Sequence, residues 1–225
     1  MSQNKKNQKF MRKLITVWAD FETRLDKVPV IDKINRNKIR LEDYKLLLLN
    51  HRQQVIDGAN WITRAASNIS PEFIETRTSF IKHAATEHQD YKMLEQCYLS
   101  VGGDSKDLKV YEKNIGSEAL SAWMFHRASQ PNPFDLLGAM FIIEGLGRNR
   151  SGDWANKIMN TLGLNEDQVR FYLYHAENDQ EHMREFELML GNVLDYEKGI
   201  SEAIIKTARV TARLYLLQLE ELGNY

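Results

Sequence analysis

Two triplets of metal-type side chains share one spacing: His83-x3-Glu87-x2-Asp90 and His175-x3-Asp179-x2-His182. At about 100° per residue, positions i, i+4 and i+7 fall on one narrow stripe of an α-helix. Each triplet therefore predicts three polar groups aimed in a single direction. Between them stands Glu144, the only charged residue between Asp135 and Arg148, at the end of the apolar run that starts at Phe134. A carboxylate there is costly to bury unless positive charge compensates it. Three imidazoles (His83, His175, His182) and three carboxylates (Asp90, Glu144, Asp179) make the ligand mix that suits two divalent iron ions, with manganese as the alternative ion. Carboxylates bridge such ions and offset their charge, and neutral imidazoles take terminal positions that leave room for dioxygen. Glu144 and Asp179 are the candidate catalytic carboxylates. Glu87 is a further ligand, or an acceptor that orients one.

The neighbours of each triplet on its own face are apolar. Tyr172, Phe186 and Met189 flank the second; Phe73, Phe80, Leu94 and Cys97 flank the first. The polar groups thus interrupt core stripes instead of forming a wet face. A metal-free core of His–carboxylate hydrogen bonds is the competing account of the same pattern. His51 lies on an apolar stripe, where a satisfied core histidine is the ordinary reading. His88 is expected at a helix–helix boundary, and His126 has no functional reading. Tyr172 and Tyr174, beside His175, divide between core packing and a pocket or redox role. Cys97 reads as a buried, inert thiol.

The elements that must position these groups are helices. A first runs from about Asn4 to Asp26 with Phe10, Leu14, Trp18, Phe21 and Leu25 on one side, and the Val28-Pro-Val-Ile-Asp link ends it. A second spans Leu41 to Ala66, its stripe passing through Tyr44, Leu48, His51, Val55, Ala59 and Ile62. Ser70-Pro71-Glu72 opens a third, with serine as cap, that reaches Val101 and stops at Gly102-Gly103. Shorter helices follow over Gly116 to Ala128, Phe134 to Gly147, and Ser151 to about Gly163. Asn165-Glu-Asp caps a long helix that carries the second triplet to about Gly191. The last spans Asp195 to Leu222, with Thr207 as the polar break in its stripe. The expected architecture is one all-α domain of seven or eight helices over residues 1–225.

Bulk properties leave that reading room. Lys+Arg 30 against Asp+Glu 31 gives a net charge of -1, with no basic excess to suggest nucleic acid. The single cysteine excludes an internal disulfide framework and fits a reducing compartment. The first fourteen residues are basic but lack the apolar core of a secretory signal, and no stretch has the apolar length of a membrane span. A cytoplasmic protein without a membrane partner is expected.

The order and spacing of these residues resemble the haem-oxygenase-like diiron oxidases, in the superfamily that also holds TenA-type thiaminases and pyrroloquinoline-quinone synthases. The resemblance runs from Asp43-Tyr-Lys-Leu-Leu-Leu-Leu to Leu190 and is most specific at His175-x3-Asp179-x2-His182. That family carries a Glu and then a His seven residues later on the earlier helix. Here His83 and Asp90 occupy those places, so the residue types are exchanged and the total of three histidines and three carboxylates survives. The number of ions, one or two, is left open by that exchange. The resemblance implies a haem-oxygenase-like bundle, a homodimer, two irons per chain on His83, Asp90, Glu144, His175, Asp179 and His182, and dioxygen with a small organic molecule as partners. It places the substrate pocket near His51, Val55 and Tyr172. Family outcomes include N-oxygenation of amines, oxidative decarboxylation of fatty acids, C–C cleavage of amino acids and formation of an aminobenzoate.

Other classes make different demands. A haem oxygenase needs an axial histidine on its first helix, and no histidine precedes His51. A TenA-like hydrolase needs an activated cysteine, for which Cys97 is the sole candidate. A cofactor-free oxidase would bind an aromatic anion, which inward carboxylates oppose. A non-catalytic helical scaffold would show apolar faces and hold no metal.

Overall fold

Prolines and glycines punctuate the chain into ten α-helices of seven residues or more, among the residues that the computed structural model describes (3–194, 196 and 198–222). In chain order they are α1 (Gln3–Leu25), α2 (Pro29–Asn35), α3 (Leu41–Ser67), α4 (Ile74–Glu87), α5 (Tyr91–Ser100), α6 (Ile115–Ala128), α7 (Leu137–Leu146), α8 (Gly152–Leu162), α9 (Arg170–Val193) and α10 (Ile200–Glu220). The count exceeds the expected seven or eight for two physical reasons. Pro29 restrains Val28 to an extended conformation but itself sits at the first helical position, so the supposed link is the start of α2. The helix expected from residue 71 to 101 breaks at His88–Asp90, where backbone bonds such as Asp90 N–H to Glu87 O (3.2 Å) and Lys92 N–H to Gln89 O (2.9 Å) tighten the chain. His88 is exposed on this turn, its Nδ1 3.1 Å from Ala85 O, and is at no helix–helix boundary.

Two further expectations change in detail. Ser70 is extended ahead of Pro71, but its side chain caps nothing, and a 3-10 turn (Pro71–Phe73) precedes α4. α7 and α8 are not separated by a loop: a π-helical turn, Gly147–Ser151, joins them without a break. Other signals act as read: Asn165 caps through its side chain, and Gly102 (φ 77°) and Gly163 (φ 66°) end α5 and α8 in the left-handed region. Asn114, which the sequence reading did not single out, caps α6 in the same way. The start of the last helix at Asp195 lies outside the described residues; α10 is helical from Ile200.

α9 is the hub of the site. It packs on α4, α5, α7, α8 and the π turn, while α10 packs on α1, α6 and α7. α7 is buried on almost every side, as its apolar sequence requires. It meets α10 closely at Gly138, where a β-carbon would stand 2.0 Å from Ile204 O. Thr207, the polar break in α10, donates to the buried Asp135 at 2.6 Å, which also accepts from Arg127 at 2.8 Å. No described helix is long and apolar enough to cross a membrane.

Candidate metal centre

Six candidate ligands and Glu87 converge where α4, the α4–α5 turn, α7 and α9 meet. His83 and Glu87 come from α4, and Glu144 comes from α7. His175, Asp179 and His182 line one face of α9. Asp90 arrives from the turn instead of from a straight helix, yet its side chain is buried and its Oδ2 lies 3.5 Å from His175 Nε2. Glu144 lies between two imidazoles: His182 Nδ1 is 2.9 Å from Oε2 and His83 Nε2 is 3.2 Å from Oε1. The His83 and His182 rings sit edge to face with centroids 4.3 Å apart. Asp179 Oδ1 is 3.1 Å from His175 Nδ1 and 3.5 Å from His182 Nδ1. Glu87 Oε1 is also 3.5 Å from His182 Nδ1.

Metal-sized groupings emerge directly. Ligand atoms of His83, Glu87, Glu144 and His182 lie within 4.8 Å of one another, and so do those of Glu87, Asp90 and His175. Glu87 belongs to both. Asp179 belongs to neither and instead approaches one histidine of each, His182 and His175.

The cluster is not a satisfied hydrogen-bond network. Both ring nitrogens of His83, Nε2 of His175 and Oδ2 of Asp90 are buried without a hydrogen-bond partner among the described residues. The 3.2 Å approach of His83 to Glu144 is close but out of line for a hydrogen bond. Buried polar atoms are seldom left so. Imidazole nitrogens and carboxylate oxygens aimed at a shared space are donors that iron accepts, so the residues fit the ion.

Electrostatics carry the same message. Burial opposes charge on the three histidines, yet the carboxylates outweigh it. Glu144 and Glu185 hold His83 at about 9, Asp179 and Glu87 hold His175 at about 9, and Asp179 with Glu144 holds His182 at about 11. Glu144, despite burial, is held well below the usual carboxylate range by His83 and His182. Burial and the nearby Glu144 push Glu87 up to about 7. Without an ion, protons supply the positive charge that these carboxylates demand.

Two cavities adjoin the cluster and share Gln54, Val55, Glu87, Ile143 and Glu144 as a partition. One has an apolar wall of Trp61, Ile62, Leu120 and Met124 and reaches His83. The other is bounded by His175, Asp179, His51, Tyr172 and Tyr215. His51 Nδ1 lies 2.8 Å from Tyr172 OH and its Nε2 3.3 Å from Tyr215 OH. Burial, then the nearby His175, lowers the His51 pKa to about 4, so the ring is neutral. Cys97 is fully buried, its thiol pushed up by burial, and it lines neither cavity.

Two neighbours escaped the sequence reading. Glu185 Oε2 stands 3.9 Å from His83 Nδ1, and its place three residues after His182 on the same face was a usable signal. Tyr215 had none, because α10 approaches His51 only in the folded chain.

The model of the family described as iron-containing redox enzymes matches residues 83–216, a span that holds every candidate ligand. The chain belongs to the iron-containing redox enzymes. Solved structures agree on the fold. A domain of unknown function with a haem oxygenase-like fold from Shewanella denitrificans OS217 superposes with a TM-score of 0.84 at 18% identity, covering 100% of this chain and 93% of that one. A TenA homologue from Pseudomonas syringae pv. tomato DC3000 gives 0.78 at 13% identity, over 96% and 93%. A TenA-like protein from Sulfolobus solfataricus P2 gives 0.63 at 13% identity, over 100% of both chains. No curated protein matches the sequence. The fold is thus haem-oxygenase-like and all-α.

Proposed function

We propose that this iron-containing redox enzyme is a non-haem diiron oxidase or oxygenase that acts on a small, largely apolar organic molecule with dioxygen. The observation that carries the reading is the set of buried, unpartnered donors on His83, Asp90 and His175, aimed into two groupings that share Glu87. His83, Glu87, Glu144 and His182 would hold one ion, and Glu87, Asp90 and His175 the other. Asp179 orients two of the rings: accepting from His175 Nδ1 leaves His175 Nε2 turned toward Asp90. Ferrous ions, when bound, supply electrons for the reduction of dioxygen.

The chain's own residues do the rest. Four carboxylates, Glu87, Asp90, Glu144 and Asp179, balance the charge of two divalent ions. The cavity that reaches His83 then presents a near-neutral floor and apolar walls, which suits an organic body and excludes water from around it. This shifts the expected substrate pocket toward Val55, Trp61 and Met124. His51 and Tyr172 belong to the other chamber, where a neutral imidazole between two phenols holds one proton on a ring nitrogen and accepts another.

A hydrolase reading has a weaker site, because Cys97 is buried outside both cavities with a raised pKa. Anaerobic Fe(II) loading followed by elemental analysis tests the proposal. About two irons per chain in the parent, with a sharp fall in His182→Ala, supports it. One iron would reduce it to a single-ion site. No iron or other metal would leave a hydrogen-bonded helical core.

A further inference from the structure

Gly147 sits at the first position of the π turn with φ -54° and ψ -54°, ordinary helical values that any residue adopts. Its backbone therefore has no need of glycine, and glycine inside a helix is unfavourable beside alanine. Space supplies the reason. A β-carbon here would stand 1.6 Å from Asp179 Oδ2 and 2.7 Å from Asp179 Cγ, with His175 Cβ at 3.5 Å. The carboxylate of Asp179 thus rests against the bare α-carbon of Gly147, with Oδ2 on that backbone and Oδ1 toward His175 and His182.

The π turn holds this seat in place from its far side. Arg150 reaches Glu22 of α1 and Asp26 just beyond its end, and Asn149 donates back to Gly145 O at 2.8 Å. Gly147 itself lines the chamber that contains His175 and Asp179. A π turn inserts one residue into helical register, which rotates the following turn without ending the rod. Gly147 therefore meets α9 while Arg150 meets α1.

We propose that Gly147 is a positioning residue: its missing side chain is the seat of the Asp179 carboxylate and fixes how that carboxylate holds the His175 and His182 rings. The contact itself needs no ion; its consequence for iron rests on the diiron reading above.

A four-protein cycle on metal-free chain decides it: parent, Gly147→Ala, Asp179→Ala, and the double variant. In the parent background Gly147→Ala lowers Tm, because the new methyl displaces the carboxylate. In the Asp179→Ala background the same change raises Tm by roughly 2 °C, the ordinary gain of alanine over glycine in a helix of a chain this size. Imidazole nitrogen shifts of His175 and His182 move in Gly147→Ala while those of His126 stay. If Gly147→Ala folds too poorly to melt, the stable double variant still shows that Asp179 is what forbids the methyl. Chelator competition then measures Fe(II) affinity, which falls about 10–100-fold in Gly147→Ala, as for neighbours that orient ligands. An equal Tm change in both backgrounds, unmoved histidine shifts, or undiminished affinity in an iron-binding parent each overturns the proposal. If the parent binds no iron, the diiron reading fails alone, and the melting cycle and histidine shifts still judge the seat.

Discussion

His51 and His83 are equally buried, 3% and 1% exposed, yet they have opposite chemistry. His51 meets two phenols, both ring nitrogens have partners, and its pKa falls to about 4. His83 faces carboxylates, neither nitrogen has a hydrogen-bond partner among the described residues, and its pKa rises to about 9. Burial alone makes an imidazole neutral; surrounding acids make it a cation or a ligand. The contrast separates a histidine that is finished by the fold from one that awaits a partner. His51 is a closed polar contact between two phenols, and His83 is part of a site.

The largest effect should come from Glu144, which faces two imidazoles from the centre of the cluster. Glu144→Ala leaves charge stranded in the interior, and breaking a buried pair in this way costs about 3–5 kcal/mol. Urea unfolding of the metal-free variant at neutral pH should show that loss, with iron uptake abolished. A loss under about 1 kcal/mol would mean that water already screens the cluster, and the contrast with His51 would collapse.

Acidity offers a second way to break the contrast. His83 and His175 at about 9, and His182 at about 11, hold protons that the unfolded chain releases near 6.5. Their contribution to stability is therefore full below pH 6.5 and is lost as pH rises through 9 toward 11. His51 has the opposite sign: its pKa is lowered from 6.5 to about 4, so it costs stability as pH falls between those values. Ligation needs deprotonated imidazoles, so iron should release protons on binding and flatten the alkaline loss. Tm profiles with and without anaerobic Fe(II) test this; identical alkaline slopes would refute it.

A smaller effect is expected in the His51 chamber. Tyr172→Phe removes the 2.8 Å partner of His51 Nδ1 and should cost roughly 1–2 kcal/mol, the penalty of one unsatisfied buried group. Iron content should not change. If the count falls with this phenol, the two chambers act as one unit.

Much of this was legible in the chain. Helical spacing alone put His175, Asp179 and His182 on one face, and the lone acid in an apolar run marked Glu144. Asp90 was found for a reason that does not hold, since the helix breaks at His88–Asp90 and a turn delivers the carboxylate instead. Periodicity cannot see such a break when side chains compete locally for backbone groups. Glu87 was noted as secondary, yet it is the carboxylate common to both groupings, a fact that depends on how α4 meets α9. The π turn was invisible as well: glycines at 147 and 152 read as helix ends, whereas Gly147 clears space for a side chain of another helix.

The finest distinction lies within one turn of α9. Glu185 faces inward, 3.9 Å from His83 Nδ1, and His83 lowers its pKa. Glu181 faces outward and pairs with Arg184 at 2.9 Å, both well exposed. Glu181→Gln should change stability by no more than about 0.5 kcal/mol, since exposed pairs contribute little, and should leave iron binding untouched. Glu185→Gln should lower the His83 pKa and alter Fe(II) affinity by less than about tenfold, the low edge of what a neighbour of a ligand does. The ring shifts of His83 across a pH titration of each variant measure the difference. Equal titrations in the two variants would place Glu185 outside the site and draw its boundary at His83.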